Sequence, residues 1–146
     1  MSEVRTGLRA RLAERRTTYG VWSALDDPAS AEIVARAGFD LVCVDLQHGF
    51  ADLGSLPRLL HAVHAAGSAS LVRVAWNAPD QIMRALDLGA DGVLVPMVDD
   101  AEQARRGGRR LPVRARRIAL VGDRCGATCA AARQNRPPAT PAPPAS

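Results

Sequence analysis

Two short stretches of the chain hold side chains that do chemistry. Asp45-Leu46-Gln47-His48-Gly49 sets a carboxylate just ahead of an imidazole, and Arg73 interrupts the apolar run Ser70 to Val74. Imidazole is the side chain whose ordinary titration range suits proton transfer near neutral pH. Guanidinium forks onto a carboxylate through two parallel hydrogen bonds. Buried alone it is costly, so Arg73 requires an anionic partner or a wet cavity. Asp45 has two available tasks, pairing with Arg73 or orienting His48, and Arg73 has the further option of a substrate carboxylate. On the residues alone the plainer reading stays open as well: a structural Asp45–Arg73 ion pair beside a loop histidine with no task.

The other reactive side chains form weaker patterns. His61 and His64 share a helix face at i, i+3, but solvated helix histidines are common, so a ligand pair is not expected. Cys125-x-x-x-Cys129 has no His or second Cys pair nearby to complete a tetrahedral zinc site, and three scattered Cys give no disulfide framework. No Gly-rich phosphate or dinucleotide loop and no nucleophile elbow occurs. All 19 basic residues are Arg, which removes imine chemistry, since that needs a Lys amine.

The elements that must position these groups follow from periodicity. Val4, Leu8 and Leu12 recur at i, i+4, i+8 and predict an amphipathic helix over 3–15. Thr17 to Ser23 reads as a strand. Asp27 is an N-cap with Pro28 at the first helical position, for a helix ending at Gly38. The unit then repeats: strand Phe39 to Asp45 and helix 55–66 closing at Gly67, strand Ser70 to Val74 and helix Pro79 to Leu88 closing at Gly89. Strand Gly92 to Val95 then leads to a helix capped by Asp99 or Asp100. Four strand–helix units at a spacing of about 25 residues predict an α/β fold with parallel strands, doubly wound or barrel. In either, functional groups gather at the carboxyl edge of the sheet, where Asp45, His48 and Arg73 fall.

Composition bounds the rest. The chain has 146 residues, 47% hydrophobic and 23% charged, which suits one globular domain and excludes wholesale disorder. No apolar run approaches the length of a membrane-spanning helix. Glu3 and Glu14 among the early Arg residues, without an apolar stretch, argue against a secretory or mitochondrial leader, so a cytoplasmic location is expected. The net charge of +4 conceals a division: residues 1–100 hold nine Arg and thirteen acids, whereas residues 101–146 hold ten Arg and two acids. All five aromatics lie in the first part, and six of the ten Pro in the second.

Three stretches together resemble the HpcH/HpaI aldolase family. Asp45-Leu46-Gln47-His48 is similar to its strand-two motif, Leu71-Val72-Arg73-Val74-Ala75-Trp76-Asn77 to its V-R-x-x-W-N strand, and Gly89 to Val98 (GADGVLVPMV) to its G-A-x-G-x-x-V-P-M-V. The likeness covers residues 4–106. It implies the N-terminal half of a (β/α)8 barrel, and an activity that cleaves a 4-hydroxy-2-keto acid to pyruvate and an aldehyde through a metal-stabilised enolate. By the same resemblance His48 is the acid/base, Asp45 holds and polarises it, and Arg73 binds the pyruvate carboxylate, with Trp22 and Gln47 completing the substrate site. The family's metal, Mg²⁺, Mn²⁺ or Co²⁺, sits on a Glu and an Asp of the second half-barrel. Glu102 and Asp123 are the only acids after residue 100 and neither lies in such a strand, so no metal binding and no activity are expected of this chain. The resemblance also implies a homo-oligomer for the full-length family and, for half a barrel, free edges at strands one and four.

Residues 107–146 break the pattern. The family continues with a segment resembling A-V-A-A-C-R-Y-P-P-A-G-x-R-S-W-G, where this chain reads GGRRLPVRARRIALVG over 107–122. Permitted codons for those residues, read one base later, spell A-V-A-A-C-R-Y-A-P-A-G-S-R-S-W-G. The expectation is an out-of-frame, Arg/Pro-rich, disordered tail from 107 onward. The competing class is a small α/β binding module whose basic tail takes nucleic acid or another polyanion. The cluster from Arg105 to Arg117 has no interleaved aromatics for base stacking, which weighs against that class, and a membrane partner is not expected.

Overall fold

The fold is that of a computed structural model, which describes residues 3–108, 118–121 and 130–131. In chain order the elements are α1 (Glu3–Ala13), β1 (Gly20–Ser23), α2 (Pro28–Ala35), β2 (Leu41–Asp45), α3 (Leu56–Ala65) and β3 (Ala69–Arg73). Then come α4 (Pro79–Asp87), β4 (Gly92–Val95), α5 (Ala101–Gly108), β5 (Ile118–Val121) and β6 (Ala130–Ala131). The local signals act as read. Asp27 accepts from the amides of Ala29 at 3.3 Å and Ser30 at 2.8 Å, and Asp100, not Asp99, caps α5 through the amides of Glu102 and Gln103. Gly38, Gly67 and Gly89 stop their helices at φ +92°, +86° and +112°, a conformation that costs glycine nothing. The first strand is shorter than its composition predicts: Thr17 to Tyr19 stay outside it.

One sheet carries all the strands in the order β1-β2-β3-β4-β5-β6, parallel from β1 through β5 and antiparallel at β6. This order settles the choice left open by periodicity. A doubly wound sheet reverses its strand order and covers both faces with crossover helices. Here the order never reverses, and α2, α3 and α4 all lie on one face, as in a barrel wall. Val42, Val44, Val72 and Val93 point to that outer face and pack with Leu56, Leu59, Leu60, Val63, Ile82 and Leu86.

Strand alternation sends Leu41, Cys43 and Asp45 of β2, and Ala69, Leu71 and Arg73 of β3, to the opposite, inner face. α1 covers the amino-terminal part of that face. Its Leu8 is buried among Leu41, Cys43, Ala69 and Leu71, with Leu12 at the margin. Arg11 pairs with Asp40, whose other oxygen accepts the Tyr19 amide at 2.9 Å, fastening α1 beside the start of β2.

The stretch expected to be a disordered tail is corrected at eight positions, the first two being Gly107 and Gly108, which end α5. Ile118–Val121 and Ala130–Ala131 are strands, and β5 lies parallel on β4 in the register Gly92↔Ile118 to Val95↔Val121. The apolar run Ile-Ala-Leu-Val has the composition of a buried strand and supplies the backbone partners that the β4 edge would otherwise lack. Consequently β4 is not an open edge, and among the described residues the free parallel edge is β1 alone. The rest of the stretch, including Cys125 and Cys129, lies outside the described residues.

Candidate functional site

Asp45 and Arg73 end their strands side by side, in register on the inner face. Arg73 Nε donates to Asp45 Oδ1 at 2.8 Å and Nη2 donates to Oδ2, a bidentate fork. The pair is shielded, with side-chain exposures of 21% for Arg73 and 7% for Asp45. Trp22 projects from β1 onto the same face, and the Arg73 guanidinium carbon lies 4.5 Å from its ring centroid, a cation–π stack. Thus one edge of the guanidinium is held by Asp45 and one face by Trp22. Nη1 has no hydrogen-bond partner among the described residues.

Asp45 has further tasks. Its Oδ1 accepts from the backbone amides of Gln47 at 2.9 Å and His48 at 3.2 Å, folding the loop back over the strand end. Burial pushes the Asp45 carboxyl up, but the hydrogen bonds from Arg73 and these two amides, with the charge of Arg73, outweigh it and hold the pKa below its ordinary value of 3.8. The bond to Asp45 in turn raises Arg73 above its already high value, against a smaller opposing effect of burial. Where polarisation of the imidazole is expected, the carboxylate grips His48 by the main chain. The His48 side chain is exposed, and Gln47 is half-buried. Gly49 permits this fold: a Cβ there would strike the Asp45 carbonyl and lie 2.9 Å from the Ala24 carbonyl. The next amide, Phe50, donates to that same Ala24 oxygen at 2.8 Å, joining the loops after β1 and β2.

The two helical histidines separate. His61 is exposed, whereas His64 Nε2 lies 2.8 Å from Ser70 Oγ and 3.2 Å from Asp91 Oδ2. That cluster joins α3 to the amino ends of β3 and β4, far along the strands from Asp45 and Arg73, and its Ser70 is fully buried. It braces the fold at the amino edge. Three loop-setting features carry little signal in the sequence. Gln81 Oε1 accepts the Trp76 amide at 3.1 Å, and Gln103 joins the loops after β3 and β4 through Asn77 and Asp99. Met97, after β4, adopts φ +56°, which costs a non-glycine residue about 1 kcal/mol.

A divalent ion is implied by the resemblance, but its donor set does not fit here. Among the described residues no three His, Cys, Asp or Glu side chains group as metal ligands, and Asp45 already has its oxygens engaged by Arg73 and two amides.

The arrangement is a shielded guanidinium, one edge of which has no partner among the described residues, at the carboxyl end of a barrel-type sheet and beside a loop histidine. A family profile described as HpcH/HpaI aldolase/citrate lyase matches residues 18–112. The chain belongs to the HpcH/HpaI aldolase/citrate lyase family. This HpcH/HpaI chain is 40% identical over 121 residues to a 4-hydroxy-2-oxo-heptane-1,7-dioate aldolase of Klebsiella pneumoniae, covering 83% of the chain and 43% of that protein. It is 42% identical over 96 residues to a 5-keto-4-deoxy-D-glucarate aldolase of the same organism, covering 66% of the chain and 38% of that protein. A solved HpcH/HpaI aldolase/citrate lyase family protein from Burkholderia cenocepacia superposes with a TM-score of 0.68 at 33% identity, covering 71% of this chain and 42% of that one. The HpcH/HpaI chain therefore spans less than half the length of these relatives.

Proposed function

We propose that this chain carries the keto-acid end of a carbon–carbon lyase site which, when complete, acts on a 4-hydroxy-2-keto acid to give pyruvate and an aldehyde. The observation that carries the reading is the Asp45–Arg73–Trp22 arrangement, which leaves one guanidinium edge for a planar carboxylate. The free Nη1 edge of Arg73 takes the keto-acid carboxylate, and Trp22 on one face keeps the ligand in the guanidinium plane. His48 accepts the proton of the C4 hydroxyl, directly or through water. The C3–C4 bond then breaks, its electron pair passes into the pyruvate enolate, and a proton returned to C3 completes pyruvate. Arg73 opposes the charge that develops on the enolate. Gln47, on the same loop, is assigned to the substrate.

Pyruvate binding, read by tryptophan fluorescence, tests the reading. Binding lost in Arg73→Lys, which keeps the charge but not the fork, supports it, and binding indifferent to that change overturns it. Turnover of a 4-hydroxy-2-keto acid by the 146-residue chain with Mg²⁺, Mn²⁺ or Co²⁺ is expected to be absent, because the described residues offer no metal donor set. Turnover that disappears in His48→Ala would refute that expectation.

The same reading assigns residues 1–106 to the family domain and 107–146 to out-of-frame translation, supported by the ten Arg and two acids of residues 101–146 and by the family segment that permitted codons restore. Resequencing the gene across codon 107 tests it: no aldolase-like continuation in the next frame would end the idea. Cytoplasmic location is proposed as well, and homo-oligomeric assembly rests on the resemblance alone. Among the described residues no helix is long and apolar enough to cross a membrane.

A further inference from the structure

The loop after β2 meets the loop after β1 through main chain. The Phe50 amide donates to the Ala24 carbonyl at 2.8 Å, while the Phe50 ring, 82% exposed, packs little. The two loops come this close because position 49 is glycine. A Cβ there would strike the Asp45 carbonyl oxygen and lie 2.9 Å from the Ala24 oxygen and 3.2 Å from the Ala24 Cα, all backbone with no rotamer by which to yield. Ala24 in turn stands two residues after Trp22. The contacts therefore close into a ring. Trp22 stacks on Arg73, Arg73 forks onto Asp45, and Asp45 Oδ1 accepts the Gln47 and His48 amides. The same loop then returns through Gly49 and Phe50 to the chain just beyond Trp22.

We propose that Gly49 is a positioning residue that couples the keto-acid seat at Arg73 to the loop carrying His48, so that a bound keto acid tightens that loop. The inference rests on the keto-acid reading above and adds how its two parts are held together. Linked contacts of this kind open as a unit. Lifting the loop off Ala24 draws the Gln47 and His48 amides away from Asp45 and loosens the backbone beside Trp22. The guanidinium then loses the fixed plane in which a carboxylate docks, and the open loop binds the keto acid poorly. A ligand that favours the closed form shifts the loop toward it, and the Phe50–Ala24 contact opens less often.

Amide exchange, followed residue by residue by NMR on the full chain, tests the coupling, with pyruvate as the probe and tryptophan emission giving its Kd. Where exchange needs an open form that does not bind, ligand slows it by a factor of 1 + [L]/Kd, so at pyruvate of about ten times the Kd the Phe50 amide is expected to exchange about tenfold more slowly. The Ala66 amide, bonded to Ala62 at the end of α3 and outside the ring, is expected to keep its rate. In Gly49→Ala the pyruvate Kd is expected to rise about tenfold through misplacement of the seat, and the Phe50 amide to exchange equally fast with and without pyruvate. The ring signal of His64, held against Ser70 at the amino edge, reports that the variant is folded. Pyruvate that binds the unaltered chain without slowing Phe50 exchange overturns the proposal, a result that needs no variant to fold. Equal slowing at Phe50 and Ala66, the mark of global stabilisation, overturns it too, as does a folded Gly49→Ala chain that binds pyruvate as tightly as before. If the unaltered chain does not bind pyruvate at all, the keto-acid reading falls first and takes this inference with it.

Discussion

Replacing Asp45 with Asn keeps the shape of the side chain and removes its charge. An asparagine that directs its oxygen to the Oδ1 position keeps neutral versions of the bonds to Arg73 Nε and the Gln47 and His48 amides. Its NH₂ then faces the Nη2 donor, and a guanidinium with 21% side-chain exposure loses its counter-ion. Breaking one side of a buried pair costs about 3–5 kcal/mol, and the residual exposure of Arg73 places this site near the lower end, about 3 kcal/mol. For a domain near 100 residues that corresponds to a fall in Tm of about 12–20 °C. Urea unfolding followed by circular dichroism measures the difference, and its pH dependence has a defined sign. The native Asp45 pKa lies below the ordinary 3.8, so its contribution is complete above that value and is lost as pH falls through the native one. The gap between the unaltered chain and Asp45→Asn is therefore full at pH 7 and shrinks below the ordinary carboxylate range. A gap within about 0.5 kcal/mol at pH 7, the ordinary scatter for surface positions, would refute the structural role of Asp45. So would a gap that ignores pH.

Ser70→Ala removes a fully buried hydroxyl from between His64 and Asp91 and is expected to cost about 1–2 kcal/mol by urea unfolding, with keto-acid binding unchanged because the cluster lies at the opposite edge. Leu8→Asp sets a charge against Leu41, Cys43, Ala69 and Leu71; α1 detaches, and site-resolved thiol labelling of Cys43 accelerates at least about tenfold as its cover is lost. Trp22→Leu forfeits the cation–π stack, about 0.5–1 kcal/mol, and weakens pyruvate binding by about three- to fivefold while the Asp45–Arg73 fork persists.

Much of the fold was legible because its signals are local. Asp27-Pro28, the glycines at 38, 67 and 89, and the apolar runs of β2 and β4 each act within a few residues and mark where an element begins or ends. Choosing barrel over doubly wound sheet required knowing which faces the helices cover, a long-range fact absent from any window of sequence. The site divides the same way. Asp45 and Arg73 were identifiable as charges in apolar strands, and their pairing follows from equal positions at the ends of neighbouring strands. The stacking of Trp22 depends on the register of β1, and the grip of Asp45 on the His48 amide depends on a loop conformation; neither can be read from residue spacing. Ile118–Val121 was obscured by its flanks: a four-residue apolar run that follows an arginine cluster carries less weight than the surrounding composition, yet an unpaired neighbouring strand suffices to recruit it.

The placing of α1 alters what sort of object this sheet is. A barrel wall has one face toward its helices and the other toward the barrel's interior, which is dry only once the ring has closed. With Leu8 seated on the inner face, the wall acquires a second, smaller core of its own and becomes a three-layer sandwich, helix against sheet against helices. The amino-terminal parts of β2 and β3 are then buried on both faces by neighbours nearby in sequence. A layer with apolar contacts on both faces has a reason to hold its structure that does not depend on the ring being closed.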